Sequence, residues 1–301
     1  MQQESMSLIE FQEKFATEKD CQDHLFRLRW PGGYRCPRCG HDQAYFHRPR
    51  HLYQCKSCKY QVSLTAGTVF HKTRTPLKKW FWMIFLMGRQ KSGISMLSLQ
   101  RMLEIKSYKT VWMMGHKIRK AMAERDAPYK LARLIEIDDS YFGEPKSGKR
   151  GRGAGGKTKV VVAVEVKEDK PGFASIHQVQ NLSGDEISLV LEEKLEKDAV
   201  LQTDGWGAYR VLSSGERKHK PVVVGSGKNA VKILPWVHAV IANLKGNIRG
   251  VYHGISPRHM GRYLSEFCYR FNRRFWESQM FDRLVVACLN SPTITFSELR
   301  P

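Results

Sequence analysis

The chain holds seven cysteines, and four of them fall in two close pairs, Cys36-Pro-Arg-Cys39 and Cys55-Lys-Ser-Cys58, with 15 residues between the pairs. Each CxxC turn sets two thiolates on one side of a tight knuckle, and two knuckles complete a tetrahedron around Zn²⁺. Four deprotonated ligands make a closed, structural site that lends folding free energy to a segment too small for much core. The odd cysteine count and the paired spacing point to a metal in a reducing compartment rather than to disulfides. A redox-active pair or unligated thiols is the alternative. His41 and His47 lie nearby, but four thiolates leave them no ligand role.

Two aspartates form the second set. Leu134-Ile-Glu-Ile-Asp138 reads as a strand with a carboxylate at its end, and Val200-Leu-Gln-Thr reads as a buried strand ending at Asp204, 66 positions on. Adjacent strand ends can bring such carboxylates together, and a divalent cation relieves their repulsion. One or two Mg²⁺ ions held there can activate a nucleophile and stabilise the leaving oxygen of a phosphodiester. The plain alternative is a turn or cap residue at each strand end. Asp139 follows Asp138 directly, and neighbours on a strand point to opposite faces, so the two are not expected on one ion.

The rest of the 301-residue chain suits a phosphate-rich partner. Lys and Arg number 50 against 29 Asp and Glu, a formal charge of +21. Self-repulsion of that size implies a polyanion, with nucleic acid first and an anionic membrane surface second. The longest apolar run, Trp80 to Met87, is far short of the ~20 residues of a spanning helix, so no membrane partner is expected. Met1 to Gln12 has no basic cluster ahead of an apolar stretch and is not a signal peptide. Hydrophobic residues at 42% are enough for packed cores.

These candidate residues need elements to hold them. Residues 7–29 have the spacing of one short amphipathic helix. Residues 30–72 are rich in Gly, Pro, Cys and short β-like pieces. Thr75-Pro76 opens a strongly apolar helix to about Lys91. Ser95–Leu103 and Tyr108 to about Met122 follow as two more, with a turn near Ile105–Ser107, a pattern that resembles a helix-turn-helix. Lys106, Tyr108 and Lys109 then lie at the start of the reading helix as DNA contacts. A plain helical linker with a basic face is the alternative.

From Leu134 the period changes to strands at 134–138, 160–166 and 173–179. A helix at 186–196 and the strand at 200–203 come next, and helices dominate after Pro235: a mixed α/β sheet behind an all-α block. Residues 145–159 form a Gly-rich basic loop in which Lys149, Arg150 and Arg152 are expected phosphate contacts. Arg273 and Arg274 belong to a basic, aromatic C-terminal helix with the same expectation.

Several motifs together resemble one family: Arg29-Trp-Pro-Gly-Gly-Tyr-Arg-Cys-Pro-Arg-Cys-Gly40, Ile135-Glu-Ile-Asp-Asp-Ser-Tyr-Phe-Gly143, Lys149-Arg-Gly-Arg-Gly-Ala154, Thr203-Asp-Gly-Trp-Gly-Ala-Tyr209, His238-Ala-Val-Ile-Ala-Asn-Leu-Lys-Gly-Asn-Ile-Arg-Gly250 and Tyr263-Leu-Ser-Glu-Phe-Cys-Tyr-Arg-Phe-Asn-Arg-Arg274. They run over nearly the whole chain and are similar to insertion-sequence transposases of the DDE superfamily with an N-terminal zinc ribbon, the ISXO-like group. The resemblance implies a multidomain α/β protein: an N-terminal helix (1–29), a zinc ribbon (30–72), a helix-turn-helix domain (73–127), an RNase H-like mixed α/β catalytic core (128–290) and a tail (291–301). It implies structural Zn²⁺ and catalytic Mg²⁺ or Mn²⁺ held by Asp138, Asp204 and, as third ligand, Asn243. Glu266 is the carboxylate rival for that third place, unless it pairs structurally with Arg262 or Arg270. Lys245 and Arg249, in the Asn243 motif, become DNA contacts, and His238 is either an orienting group or a structural histidine.

The expected activity is binding of terminal inverted repeats, metal-dependent cleavage and strand transfer on double-stranded DNA. A homodimer or larger assembly, in the nucleoid-associated cytoplasm of a prokaryotic host, is expected with it. A DNA-binding regulator or inactive element-derived protein, and an RNase H-like nuclease without strand transfer, remain the alternatives.

Overall fold

A computed structural model describes residues 6–143, 157–213, 215, 217–222 and 232–299. In chain order its main elements are α1 (Leu8–Lys14), α2 (Glu18–Arg29), β1 (Ala44–His47), β2 (Leu52–Cys55), β3 (Gln61–Ser63), α3 (Leu77–Arg89), α4 (Met96–Met102) and α5 (Tyr108–Asp126). They continue with β4 (Leu134–Phe142), β5 (Thr158–Lys167), β6 (Lys170–Val179), α6 (Gly184–Glu192), β7 (Val200–Asp204), β8 (Lys218–Val222), α7 (Pro235–Asn247), α8 (Pro257–Asn272) and α9 (Glu277–Asn290). The chain divides into two compact units: residues 1–90, 94–125 and 275–301 form the first, and 91–93 with 126–274 the second.

In the first unit the expected single helix at 7–29 is two. Ser7 with Glu10 and Thr17 with Asp20 each close a capping box, so a fresh helix starts at Glu18. The reciprocal side-chain bonds satisfy backbone N–H groups that a continuous helix would have bonded internally. An aromatic cluster binds these helices to α3 and α9: Phe11 stacks on Phe85 with centroids 4.2 Å apart, and Phe81 meets Phe281 edge-on at 5.4 Å. Helix α3 has no side-chain cap of its own; the Glu18 carboxylate accepts from the N–H groups of Leu77 and Lys78 at 2.7 and 3.0 Å. β1, β2 and β3 make a small antiparallel sheet in sequence order.

The second unit is a five-stranded sheet in the order β6-β5-β4-β7-β8. β4, β5 and β6 are antiparallel neighbours, whereas β7 joins β4 in parallel and β8 joins β7 in parallel. Both faces are covered. Ile135, Ile137, Val161, Ala163 and Leu201 pack with Ile187 and Leu191 of α6 on one side. Val160, Val162 and Val164 pack with Val237, Val240 and Leu244 of α7 and Leu264 of α8 on the other. A strand buried on both faces reads as a continuous apolar run, which is why residues 160–164 show no alternation. β8 was not expected from the sequence: Lys-His-Lys-Pro-Val lacks an apolar pattern, and as an edge strand it needs none.

Candidate functional site

β4 and β7 run side by side at the middle of the sheet, paired from Leu134↔Val200 to Ile137↔Thr203. One residue further on in each strand stand Asp138 and Asp204. The constant offset of 66 is the pairing register itself, so the two carboxylates lie side by side on the same face, where neighbouring strands lie about 4.8 Å apart; Asp204 ends β7, but β4 does not end at Asp138 as expected and runs on to Phe142, paired with β5. That face is the one α7 covers. Asp138 Oδ1 accepts from the Asp139 N–H at 2.8 Å, and Asp204 Oδ1 accepts from the Trp206 N–H at 3.1 Å. Each carboxylate is thereby steadied by its own backbone. Asp139 turns the other way, 3.5 Å from the Tyr209 hydroxyl, which lies within the α6-side core.

Helix α7 is fixed over this face by a residue that sequence reasoning did not single out. The Glu136 carboxylate accepts from the N–H groups of Trp236 and Val237, both at 2.8 Å. These are the first-turn donors of a helix that has no side-chain cap of its own. Burial pushes the Glu136 carboxyl up from its ordinary value, and the two N–H groups work against that rise. The signal was available: residues 136 and 138 lie two apart on one strand face, so an inward acid at 136 shares the side of Asp138.

With its N-terminus held there, α7 presents His238 to Asp138. His238 Nδ1 lies 3.5 Å from Asp138 Oδ2, with the two side chains 25% and 14% exposed. Lys245, two turns on, is half-buried; burial and the nearby Arg249 lower its pKa, while Asp138 and Asp139 hold it up. The sheet apposition therefore gathers Asp138, Asp204, His238 and Lys245 on one side. Asn243 is exposed on α7. Glu266 is buried in α8, where it pairs with Arg270 and accepts from the Tyr252 hydroxyl at 3.1 Å.

Two carboxylates in register are hard oxygen donors and fit Mg²⁺ or Mn²⁺, ions that keep several waters and need no closed protein cage. Among the described residues, only Cys36, Cys39, Cys55 and Cys58 form a group of three or more acidic, His or Cys side chains whose ligand atoms all lie within 4.8 Å. Cys36 and Cys58 Sγ are 3.6 Å apart, as are Cys39 and Cys55 Sγ. Tetrahedral Zn–S bonds of about 2.3 Å set sulfurs about 3.8 Å apart, so this cluster fits zinc. Burial pushes the Cys36 thiol up, but hydrogen bonds from the N–H groups of Cys39 and Arg38 and from the Cys58 and Cys39 side chains together lower its pKa to about 6.

The basic candidates divide. Lys106, Tyr108 and Lys109 are exposed at the start of α5, and Lys109 Nζ sits 3.8 Å from the Phe296 ring centroid. Arg249 is exposed beyond the end of α7. Arg273 and Arg274 differ from the expected solvent-facing pair. Arg273 is buried, bonded to Asp126 at 2.5 and 3.0 Å and stacked 3.7 Å from the Tyr269 centroid. Arg274 donates to the Gly172 and Phe271 carbonyls at 3.1 and 2.7 Å. Lys149, Arg150 and Arg152 lie outside the described residues.

Residues 130–272 match the ISXO2-like transposase domain, a DDE-type domain, and residues 16–61 match the transposase zinc-ribbon domain. The chain belongs to the zinc-ribbon insertion-sequence transposases. The domain match spans β4, β7 and α7, the elements that assemble the aspartate site of this transposase. A protein in transposable element ISH50 of Halobacterium salinarum is 25% identical over 232 residues, 71% of this chain and 76% of that relative. A crystal structure of a pre-cleavage Mos1 transpososome aligns at a TM-score of 0.29 and 10% identity, over 66% of this chain and 75% of that one, too weak a likeness to describe the fold. No helix among the described residues of the transposase is long and apolar enough to cross a membrane.

Proposed function

We propose that this transposase binds the terminal inverted repeats of its element, cleaves the DNA there and joins the freed ends to target DNA. The observation that carries the proposal is the register of β4 and β7, which sets Asp138 beside Asp204 on one face of the sheet, where β7 ends, within the DDE-type domain. The strand order β6-β5-β4-β7-β8, with its first three strands antiparallel and the rest parallel, supports an RNase H-like core for 128–290. The cysteine cluster within 30–72 supports a zinc ribbon, and α4 with α5 supports a helix-turn-helix within 73–127 that reads DNA through Lys106, Tyr108 and Lys109. Residues 1–29 and 291–301 flank these as a helical start and a tail.

Asp138 and Asp204 would hold Mg²⁺ or Mn²⁺, with a third protein ligand from α7. Bound there, the ion neutralises charge at the scissile phosphate and lowers the pKa of a hydroxyl nucleophile. Water displaces the 3′ oxygen at phosphorus, and that 3′-hydroxyl in turn attacks a target phosphodiester in line. Glu136 keeps α7 seated so that Lys245 stays over the same side, where its ammonium can grip a phosphate flanking the break. Arg249 and the basic loop with Lys149, Arg150 and Arg152 extend that grip. Two element ends must be handled together, so a dimer or larger assembly on DNA is proposed. A nucleoid location in a prokaryotic host follows from that partner.

The test incubates purified protein and Mn²⁺ or Mg²⁺ with DNA carrying the element ends and a target plasmid. Joined products from wild type and none from Asp138→Asn support the proposal. Binding without cleavage would instead mark a regulator or an inactive derivative, and cleavage without joining a nuclease.

A further inference from the structure

We infer that the groove between the start of α3 and α5 seats the sugar–phosphate backbone of a bound DNA strand, with Lys117 and Arg74 as phosphate contacts. The inference rests on the DNA-binding reading of α4 and α5 above, and it adds residues that the helix-turn-helix pattern in the sequence did not supply.

The groove has a volume of about 660 Å³ and is lined from three stretches: 73–80, the turn at 104–107, and α5 over 109–117. Five cations border it, Arg74, Lys79, Lys106, Lys109 and Lys117, and Glu104 is the one acid among its lining residues. Its apolar lining includes Trp80 and Met114, both 2% exposed. An apolar wall lowers the local dielectric, so a phosphate seated there pairs more strongly with a cation than one in open water does.

The cations follow the geometry of α5. Lys109, Met113 and Lys117 recur every four residues and so share one ridge of the helix. At 1.5 Å per residue, Lys109 and Lys117 stand about 12 Å apart along the axis, and Lys106 precedes them. One small anion cannot meet cations over that length, whereas a nucleic-acid strand brings a charge with every nucleotide.

Two of the five cations already have partners. Lys79 Nζ donates to the Glu104 carbonyl at 3.0 Å, and Lys109 Nζ lies over the Phe296 ring. Among the described residues, the Arg74, Lys106 and Lys117 side chains make no hydrogen bond or ion pair with protein. Arg74 and Lys106 are exposed, and water solvates them. Lys117 is half-buried nearly three turns inside α5, and burial alone lowers its pKa, with no carboxylate opposing the fall. A partly desolvated ammonium without a counter-charge is a standing cost that an incoming phosphate offsets.

The test uses the full-length, zinc-loaded protein and a duplex of arbitrary sequence, so it needs neither element ends nor catalysis. Brief acetylation with acetic anhydride, read lysine by lysine by mass spectrometry, should label Lys117 in the free protein. Bound duplex should suppress that labelling several-fold, because phosphate both covers the amine and keeps it protonated, while Lys19 on α2 should label as before. In binding titrations, Lys117→Gln and Arg74→Gln should each reduce the log–log salt slope by about 1, and Lys117→Arg should keep the wild-type slope. Lys117 labelled equally with and without duplex overturns the inference, as does protection of Lys19 to the same degree. A wild-type slope in both Lys117→Gln and Arg74→Gln also overturns it; duplex binding then stands and only the groove assignment falls. Wild-type protein that binds no duplex would remove the DNA-binding reading itself. If Lys117→Gln fails to fold, the wild-type labelling pattern and the Arg74→Gln slope decide the matter.

Discussion

If Asp138 holds a divalent ion as proposed, Asn cannot replace it, because Asn keeps its shape and its bond to the Asp139 N–H but loses the charge that would offset the ion. Asp138→Asn should lower cleavage and joining by at least about a hundredfold while leaving zinc content and DNA affinity near wild type, measured by product assay and by binding titration. His177 offers a second residue-scale outcome, remote from that chemistry. Burial, with a smaller push from Lys194, lowers its pKa to about 4, and its ring sits 2.6 Å from the Ser175 hydroxyl. The folded value lies below the unfolded one of about 6.5, so the unfolded chain takes up the proton first. Stability complete above that value is lost as pH falls toward 4, by at most about 3 kcal/mol. Urea midpoints at pH 7 and pH 4.5 should differ less in His177→Gln than in wild type. At this scale the sequence was most informative where chemistry is local. The CxxC spacing and the end of β7 at Asp204 could be read directly, and the 66-residue interval between the aspartates turned out to be the strand register; the run of β4 past Asp138 could not, because Asp138-Asp139-Ser140 breaks the apolar pattern while the backbone keeps its pairing with β5. Guanidinium commitments could not be read, because the bonds of Arg273 to Asp126 and of Arg274 to the Gly172 carbonyl link residues about a hundred or more positions apart.

Helix starts show what the sequence leaves to tertiary structure. α1 and α2 carry their own capping boxes, written locally as Ser7 with Glu10 and Thr17 with Asp20, yet the apolar spacing across 7–29 read as one helix because periodicity says nothing of caps. α3 follows Thr75-Pro76, α7 begins at Pro235 after Leu234, and neither has a side-chain cap of its own; each is closed by a glutamate from elsewhere, Glu18 and Glu136. Removing either leaves two N–H donors short of a partner, a cost of about 1–3 kcal/mol. The consequences should separate. Glu18→Ala should lower the stability of the first unit and leave cleavage per folded molecule unchanged. Glu136→Ala should lower cleavage as well, since it frees the helix that brings His238 and Lys245 to the aspartates, and Glu136→Gln, which keeps an acceptor oxygen, should recover part of it. Denaturation midpoints and single-turnover cleavage on the same preparations distinguish the two.

For the molecule as a whole, a charge of +21 costs self-repulsion in the free protein, which salt screens and a bound polyanion would relieve further. Binding that releases counterions from DNA falls with salt at a log–log slope of about −0.9 for each phosphate neutralised. The slope therefore counts contacts without knowledge of the recognition sequence, and it separates cations that grip phosphate from cations that hold the fold. Lys106 and Lys109 are exposed at the start of α5, whereas Arg273 is buried against Asp126. Lys106→Ala with Lys109→Ala should reduce the slope by about 2 and weaken binding by a similar factor on any duplex if both lysines meet phosphate. Arg273→Lys should leave the slope unchanged and lower thermal stability instead, because a lysine cannot reproduce the two bonds to Asp126 or the stack on Tyr269. A slope that moved with Arg273 and not with the α5 lysines would overturn the proposed DNA path along α4 and α5 and favour one along α8 instead.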